Sequence, residues 1–138
     1  MKKSKQDFTL IELLVVIGII ALIASIALGV TQIATRKADE AKTKAQMQQL
    51  ETALDQYRDD FGYYPQTGGN VQKIEEDLVK NVLDVPNLNL RFSNGYCVDP
   101  MSNPYQYKCP GSENPTAYDL WSYGPDGVAD TKDDITNW

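Results

Sequence analysis

From Leu13 to Val30 the chain runs 18 residues with a single polar side chain, Ser25, and a stretch of that kind has few places to go. At about 1.5 Å per residue it reaches nearly across a hydrocarbon core of about 30 Å, and Phe8 to Ile11 completes the span. Lysines at positions 2, 3 and 5 stay cytoplasmic under the positive-inside bias, which sends the C-terminal part outward. Arg36 and Lys37 on the far side weaken that bias without reversing it. A cleavable secretory signal has an apolar stretch of about 7 to 15 residues; this one is longer, and the sequence beyond it continues in helical register. The run therefore reads as an anchor, headed by a short basic segment, residues 1–7.

One residue fits an anchor badly. Glu12 stands near the start of the apolar run, where insertion scales charge an acidic group up to about 2.5–3.5 kcal/mol, and less near the interface. Either it lies close enough to the headgroups to reach water, or it awaits a cation from another molecule.

The remaining composition narrows the function. A chain of 138 residues has room for one small domain beside an anchor. The formal charge is −6, and since residues 1–7 contribute +2, residues 8–138 carry −8. Such a surface repels phosphate backbones, which disfavours nucleic acid as a partner. There is no histidine, so the commonest general base and catalytic zinc ligand are missing. An exported hydrolase would have carboxylates and tyrosines alone to work with, and the adjacent Asp133 and Asp134 diverge in direction; an enzyme is not expected. Cys97 and Cys109, among Pro, Asn, Gly and Tyr in a chain directed outward, are expected to form one disulfide, the alternative being two unpaired thiols buried as small apolar groups.

Beyond the anchor, Ile33, Ala38, Ala41, Ala45, Leu50, Ala53, Leu54, Tyr57 and Phe61 recur mostly at three- or four-residue steps, an amphipathic continuation over 31–61. No proline interrupts from Phe8 to Tyr64, so one helix of about 50 residues is expected, ended by Gly62 with Pro65 close behind. Residues 62–138 form the head. Val71 to Leu83 reads as a short helix and Pro86 to Gly95 as loop, while "NPYQYKCP" and "TAYDLWSYG" alternate as antiparallel strands. The fold class is α+β: a long N-terminal helix, transmembrane in its first half, with a small antiparallel sheet and a C-terminal loop packed on its second half.

That loop, within "YDLWSYGPDGVADTKDDITNW", gathers Asp119, Asp126, Asp130, Asp133 and Asp134 against a lone Lys132. Gly124, Pro125 and Gly127 impose a tight turn around Asp126, and the paired aspartates return seven and eight residues later. A hard cation binding oxygen would cancel their repulsion, and calcium suits such a protein cage better than magnesium. A solvated acidic coil is the other reading.

"FTLIELLVVIGIIALIASIAL" resembles the N-terminal signature of type IV pilins and of the pseudopilins of type II secretion systems. The resemblance implies that a prepilin peptidase cuts before Phe8 on the cytoplasmic side and methylates the new amine, and that Glu12 pairs with the N-terminal amine of a neighbouring subunit during assembly. Where the family has glycine before the cut, this chain has Asp7. "DPMSNPYQYKCPG" followed by "YDLWSYGPDG" and "DDITNW" is similar to the C-terminal half of the major pseudopilin of type II secretion. That similarity implies a calcium site with side-chain oxygens from Asp126, Asp133 and Asp134 and main-chain carbonyls from Tyr123 and Val128, Asp119 and Asp130 being less firmly matched. The implied protein is a structural subunit of the inner membrane, single-pass with its head in the periplasm. It polymerises with copies of itself and works with minor pseudopilins and the inner-membrane secretion platform. A type IV pilus subunit, and an anchored calcium-dependent module that never polymerises, are the alternatives.

Overall fold

Thr9 opens the first helix. Its hydroxyl lies 3.3 Å from the backbone N–H of Glu12, while the Glu12 carboxylate accepts from the Thr9 N–H at 2.9 Å and the Thr9 hydroxyl at 2.7 Å. This reciprocal box caps α1, Leu10–Phe61, a helix of 52 residues. The computed structural model describes residues 8–83 and 89–138; Asp7 and the three leader lysines lie outside the described residues. The chain divides into two units, 1–36 and 37–138.

In the first unit the described apolar side chains, from Phe8 to Ile26 and again at Ile33, are all exposed. An apolar helix surface left exposed in this way belongs in lipid or among its own kind; α1 is long and apolar enough to cross a membrane. Ser25 Oγ donates to the carbonyl of Leu22 at 2.7 Å, so its one hydroxyl is satisfied within the helix.

In the second unit α1 buries Thr43, Gln46, Met47, Leu50, Ala53 and Leu54. Steps of three and four place these on one stripe. The stripe is not quite the one its apolar residues announce: Ala38, Ala41 and Ala45 are exposed, and two of the buried positions are polar. Both polar positions are satisfied, Thr43 by the Asp39 carbonyl at 2.8 Å and Gln46 by the Asn89 carbonyl and the Tyr105 hydroxyl at 2.9 and 3.0 Å. Gly62, at φ +82°, ends the helix as expected, its N–H bonded to Arg58 O at 2.7 Å.

Four antiparallel strands form the main sheet in the order β1 (Gln72–Lys73), β4 (Gln106–Lys108), β5 (Asp119–Ser122), β6 (Ile135–Thr136). A second, two-stranded sheet pairs β2 (Arg91–Ser93) with β3 (Tyr96–Val98). Ile74, Val79, Leu83, Cys97, Tyr105, Tyr107, Tyr118, Leu120 and Ile135 close over the helical stripe as one core. The α+β build expected from the sequence is therefore present.

Three local expectations need correction. Val71 to Leu83 opens with strand β1, and the expected helix is confined to its second half, where 76–77 lead into a π turn over Leu78–Val82 with the Leu83 N–H on Leu78 O at 2.9 Å. The segment read as loop up to Gly95 contains β2, and Asn94 and Gly95, at φ +52° and +81°, make the tight turn into β3. The cysteines are free and buried, not joined. Cys97 sits wholly enclosed in the core, whereas Cys109 Sγ lies 3.3 Å from Gln66 Nε2 and 3.4 Å from the Ala117 carbonyl. Each sulfur has its own surroundings, and burial drives the Cys97 thiol up to about 12, which keeps it protonated.

Candidate functional site

Between β5 and β6 the chain makes a loop, residues 123–134, whose shape is dictated by glycine. Gly124 holds φ +63°, and a Cβ there would fall 2.1 Å from Asp133 O, so no other residue fits. Gly127, at φ +67°, lies against the Asn103 side chain. Between them Asp126 is turned toward the returning aspartates.

Three of the carboxylates, those of Asp126, Asp133 and Asp134, each reach the Thr131 hydroxyl there. Asp133 Oδ2 accepts the Asp126 N–H at 3.1 Å, Asp126 Oδ1 accepts the Val128 N–H at 2.9 Å, and Asp134 Oδ2 accepts the Asp130 N–H at 2.9 Å. Their other contacts converge on one hydroxyl. Thr131 Oγ1 lies 2.6 Å from Asp133 Oδ1, 3.2 Å from the Val128 carbonyl, 3.3 Å from Asp134 Oδ1 and 3.4 Å from Asp126 Oδ1. A hydroxyl carries one proton. Of the four oxygens around it, one at most is strongly bonded, and the rest face a lone pair. The Thr131 bond, with the Asp126 N–H assisting, holds the Asp133 carboxyl below its ordinary range, so it is ionised at neutral pH.

The donors suit a hard divalent cation, being all oxygen and both side-chain and main-chain in origin. Among the described residues no three acidic or cysteine side chains close to a metal-holding group; the oxygens are gathered by Thr131 instead. Val128 takes part through its carbonyl, its side chain being exposed. Tyr123 lines a concavity of about 450 Å³ with Trp121, Asp130, Asp134 and Trp138. Trp138 packs edge-on against Trp121, ring centres 5.9 Å apart. The two loosely matched aspartates separate here. Asp130 offers its backbone N–H, while Asp119 is buried and spent elsewhere, accepting the N–H groups of Ser112, Glu113 and Asn114 at 2.5, 3.0 and 2.9 Å.

Sequence reading missed the residues beneath the loop. Asp99 and Ser122 are completely buried, with Ser122 Oγ donating to Asp99 Oδ2 at 2.6 Å, and Asn103 Nδ2 donates to Gly124 O at 2.7 Å. The dipeptides Asp99–Pro100 and Asn103–Pro104 signal turns. Nothing in them reveals that the aspartate is inside.

The N-terminal residues singled out in the sequence form a constellation of their own. Phe8 is exposed, and the Glu12 carboxylate is occupied by Thr9 in the capping box. The pattern T-x-x-E over 9–12 was the available signal.

A helix apolar all round, leading in sequence into a small antiparallel head with an oxygen-rich loop, is the build of the pilin-like filament subunits. Residues 31–138 match the family profile described as type II secretion system (T2SS), protein G. The "type II secretion system core protein G" of Pseudomonas aeruginosa is 38% identical, over 99% of this chain and 97% of its own length. That of Escherichia coli (strain K12) is 37% identical, over 98% and 92%, and that of Vibrio cholerae 34%, over 100% and 96%. The crystal structure of the major pseudopilin from the type 2 secretion system of enterohaemorrhagic Escherichia coli superposes with a TM-score of 0.51 at 34% identity, covering 76% of this chain and 90% of that one. The chain belongs to the type II secretion system protein G family. It is a membrane-anchored structural protein and not an enzyme.

Proposed function

We propose that this chain polymerises through the first half of α1 into a pseudopilus that rises from the inner membrane into the periplasm and drives exported proteins through an outer-membrane pore. One observation carries the reading: the apolar side chains described from Phe8 to Ile26 lie uncovered in the single chain, a surface that many copies can bury together. The name shared by the relatives supports the secretion filament over a type IV pilus. The anchor crosses once, with the head periplasmic. A prepilin peptidase cuts between Asp7 and Phe8 and methylates the new amine, and minor pseudopilins and the inner-membrane platform are the other partners. Glu12 serves assembly by receiving a neighbour's amine. The intact mass of the membrane form tests maturation: a methylated species beginning at Phe8 is expected, and a chain retaining residues 1–7 in assembled material overturns it.

The loop is proposed to take calcium, through Asp126, Asp133, Asp134 and the carbonyls of Tyr123 and Val128. Support comes from the oxygens crowded around the one Thr131 proton. A cation bound only by the folded loop stabilises it by mass action. Chelation is expected to lower the melting temperature and the filament yield, and Asp126→Ala to do the same. Identical melts with and without chelator would remove the metal.

A further inference from the structure

Asp99 is a carboxylate with no exposed surface, and none of the ion pairs among the described residues includes it. A buried carboxyl group depends on protein donors to satisfy its oxygens. Two donors hold it: the Asn103 N–H reaches Oδ1 at 2.8 Å and the Ser122 hydroxyl reaches Oδ2 at 2.6 Å. The Ser122 hydroxyl donates to Asp99, so its proton points there. The serine lone pair is thereby left for the N–H of Gly124, which reaches it at 3.2 Å.

That last bond fixes more than an amide hydrogen. The Gly124 N–H and the Tyr123 carbonyl belong to one peptide plane, and in a trans peptide they point in opposite directions. Holding the N–H on Ser122 therefore aims the Tyr123 carbonyl away from the core. On the other side of Gly124, Asn103 Nδ2 holds the carbonyl at 2.7 Å, and its Oδ1 would lie 3.2 Å from a Cβ on Gly127. The turn over residues 99–103 thus grips the peptide planes on both sides of Gly124, at the entrance of the acidic loop.

We infer that Asp99 and Asn103 are positioning residues for the cation loop, setting the Tyr123 carbonyl and the Gly124–Gly127 turn in their binding orientation before any cation arrives. The inference rests on the calcium reading above and goes beyond it, because neither residue is itself a ligand. An amide in place of Asp99 can donate to Ser122, turning the hydroxyl proton toward the Gly124 N–H, donor against donor; the plane then rotates and the Tyr123 carbonyl leaves.

The test uses the full chain in detergent, titrated with terbium as a luminescent substitute for calcium and then with calcium in competition. Emission lifetimes in H₂O and D₂O count the waters on the bound ion. Asn103→Ala, at a half-buried position, is expected to weaken both ions by about ten-fold or more and to add about one coordinated water where a carbonyl has withdrawn. Its calcium-free melting temperature should move less than its calcium-dependent increment. Asp99→Asn is expected to show the same signature; should it fail to fold, Asn103→Ala and Ser122→Ala decide. Wild-type affinity and water count in the variants, beside a wild type that binds, would overturn the positioning role alone. A wild type that binds neither ion would overturn the calcium reading, and this inference with it.

Discussion

At the level of single residues, Gly124 and Cys97 make opposite demands on their surroundings. Gly124 has no room for a Cβ, since the Asp133 carbonyl occupies that position at 2.1 Å, and the obstacle is backbone that cannot rotate aside. Gly124→Ala should therefore displace the loop and abolish the calcium response proposed for it while the core of β4 and β5 survives; a calcium-dependent melt equal to that of the wild type would show that the loop tolerates a different path. Cys97 is enclosed and stays a thiol until about pH 12. Because its folded-state pKa is raised, its contribution to stability is fully present below the ordinary thiol value of about 8.5 and is lost as pH rises from there through about 12. Denaturant unfolding should give a lower stability at pH 10.5 than at pH 8. Neither cysteine should react with a thiol reagent in the native protein at pH 8, both should react once it is unfolded, and reductant should leave the melt unaltered. A reductant-sensitive melt would restore the disulfide that the two sequence positions suggest.

At the level of elements, what could be read in the sequence was what has long periodicity. The helix from Leu10 to Phe61 followed from an uninterrupted run without proline and a terminating glycine, and the strands β4 and β5 from alternation in short aromatic segments. The two-residue strands β1 and β6 are too short to show any alternation, and pairing with β4 and β5 alone makes them strands. The β2–β3 hairpin was legible in Asn94–Gly95, a strong signal for a tight turn, but the residues before it alternate too weakly to compete with a loop reading. The acidic loop was visible as a cluster, whereas its support was not, because burial of Asp99 depends on Ser122, 23 positions away. The same reasoning sets the energetics. Leu50 and Leu54 are essentially without exposed surface at the centre of the helical stripe, so Leu50→Ala should cost about 3 kcal/mol or somewhat more, measured by denaturant unfolding of the detergent-solubilised chain. Val82, more than a third exposed on the π turn, should lose well under 1 kcal/mol on the same change. Equal losses at the two sites would mean that the helix and the sheet do not share this core.

At the level of the whole molecule, Glu12 is where the proposed assembly role meets the fold. In the single chain its carboxylate is not stranded, since Thr9 supplies two hydrogen bonds and receives one in return. Those bonds lower the cost of carrying the group at the membrane surface without neutralising it, so a cation still gains strongly by approaching. Under the proposed maturation, a cut before Phe8 would create an amine, and a neighbour's amine would compete for the oxygen that Thr9 holds, since a charged partner outweighs a hydroxyl where water is scarce. Glu12→Ala should then insert normally, because it removes a charge from the anchor, and should lose at most about 1 kcal/mol of helix capping. It should nonetheless yield little or no filament. Glu12→Gln separates the two roles: the amide can still accept from Thr9 and keep the cap, but cannot attract an ammonium group as a charge does. Filament recovered by shearing and sedimentation should fall in both variants, with membrane levels equal to wild type. If Glu12→Gln assembles normally while Glu12→Ala does not, the residue acts in assembly through the geometry of its helix cap, and the charge is dispensable.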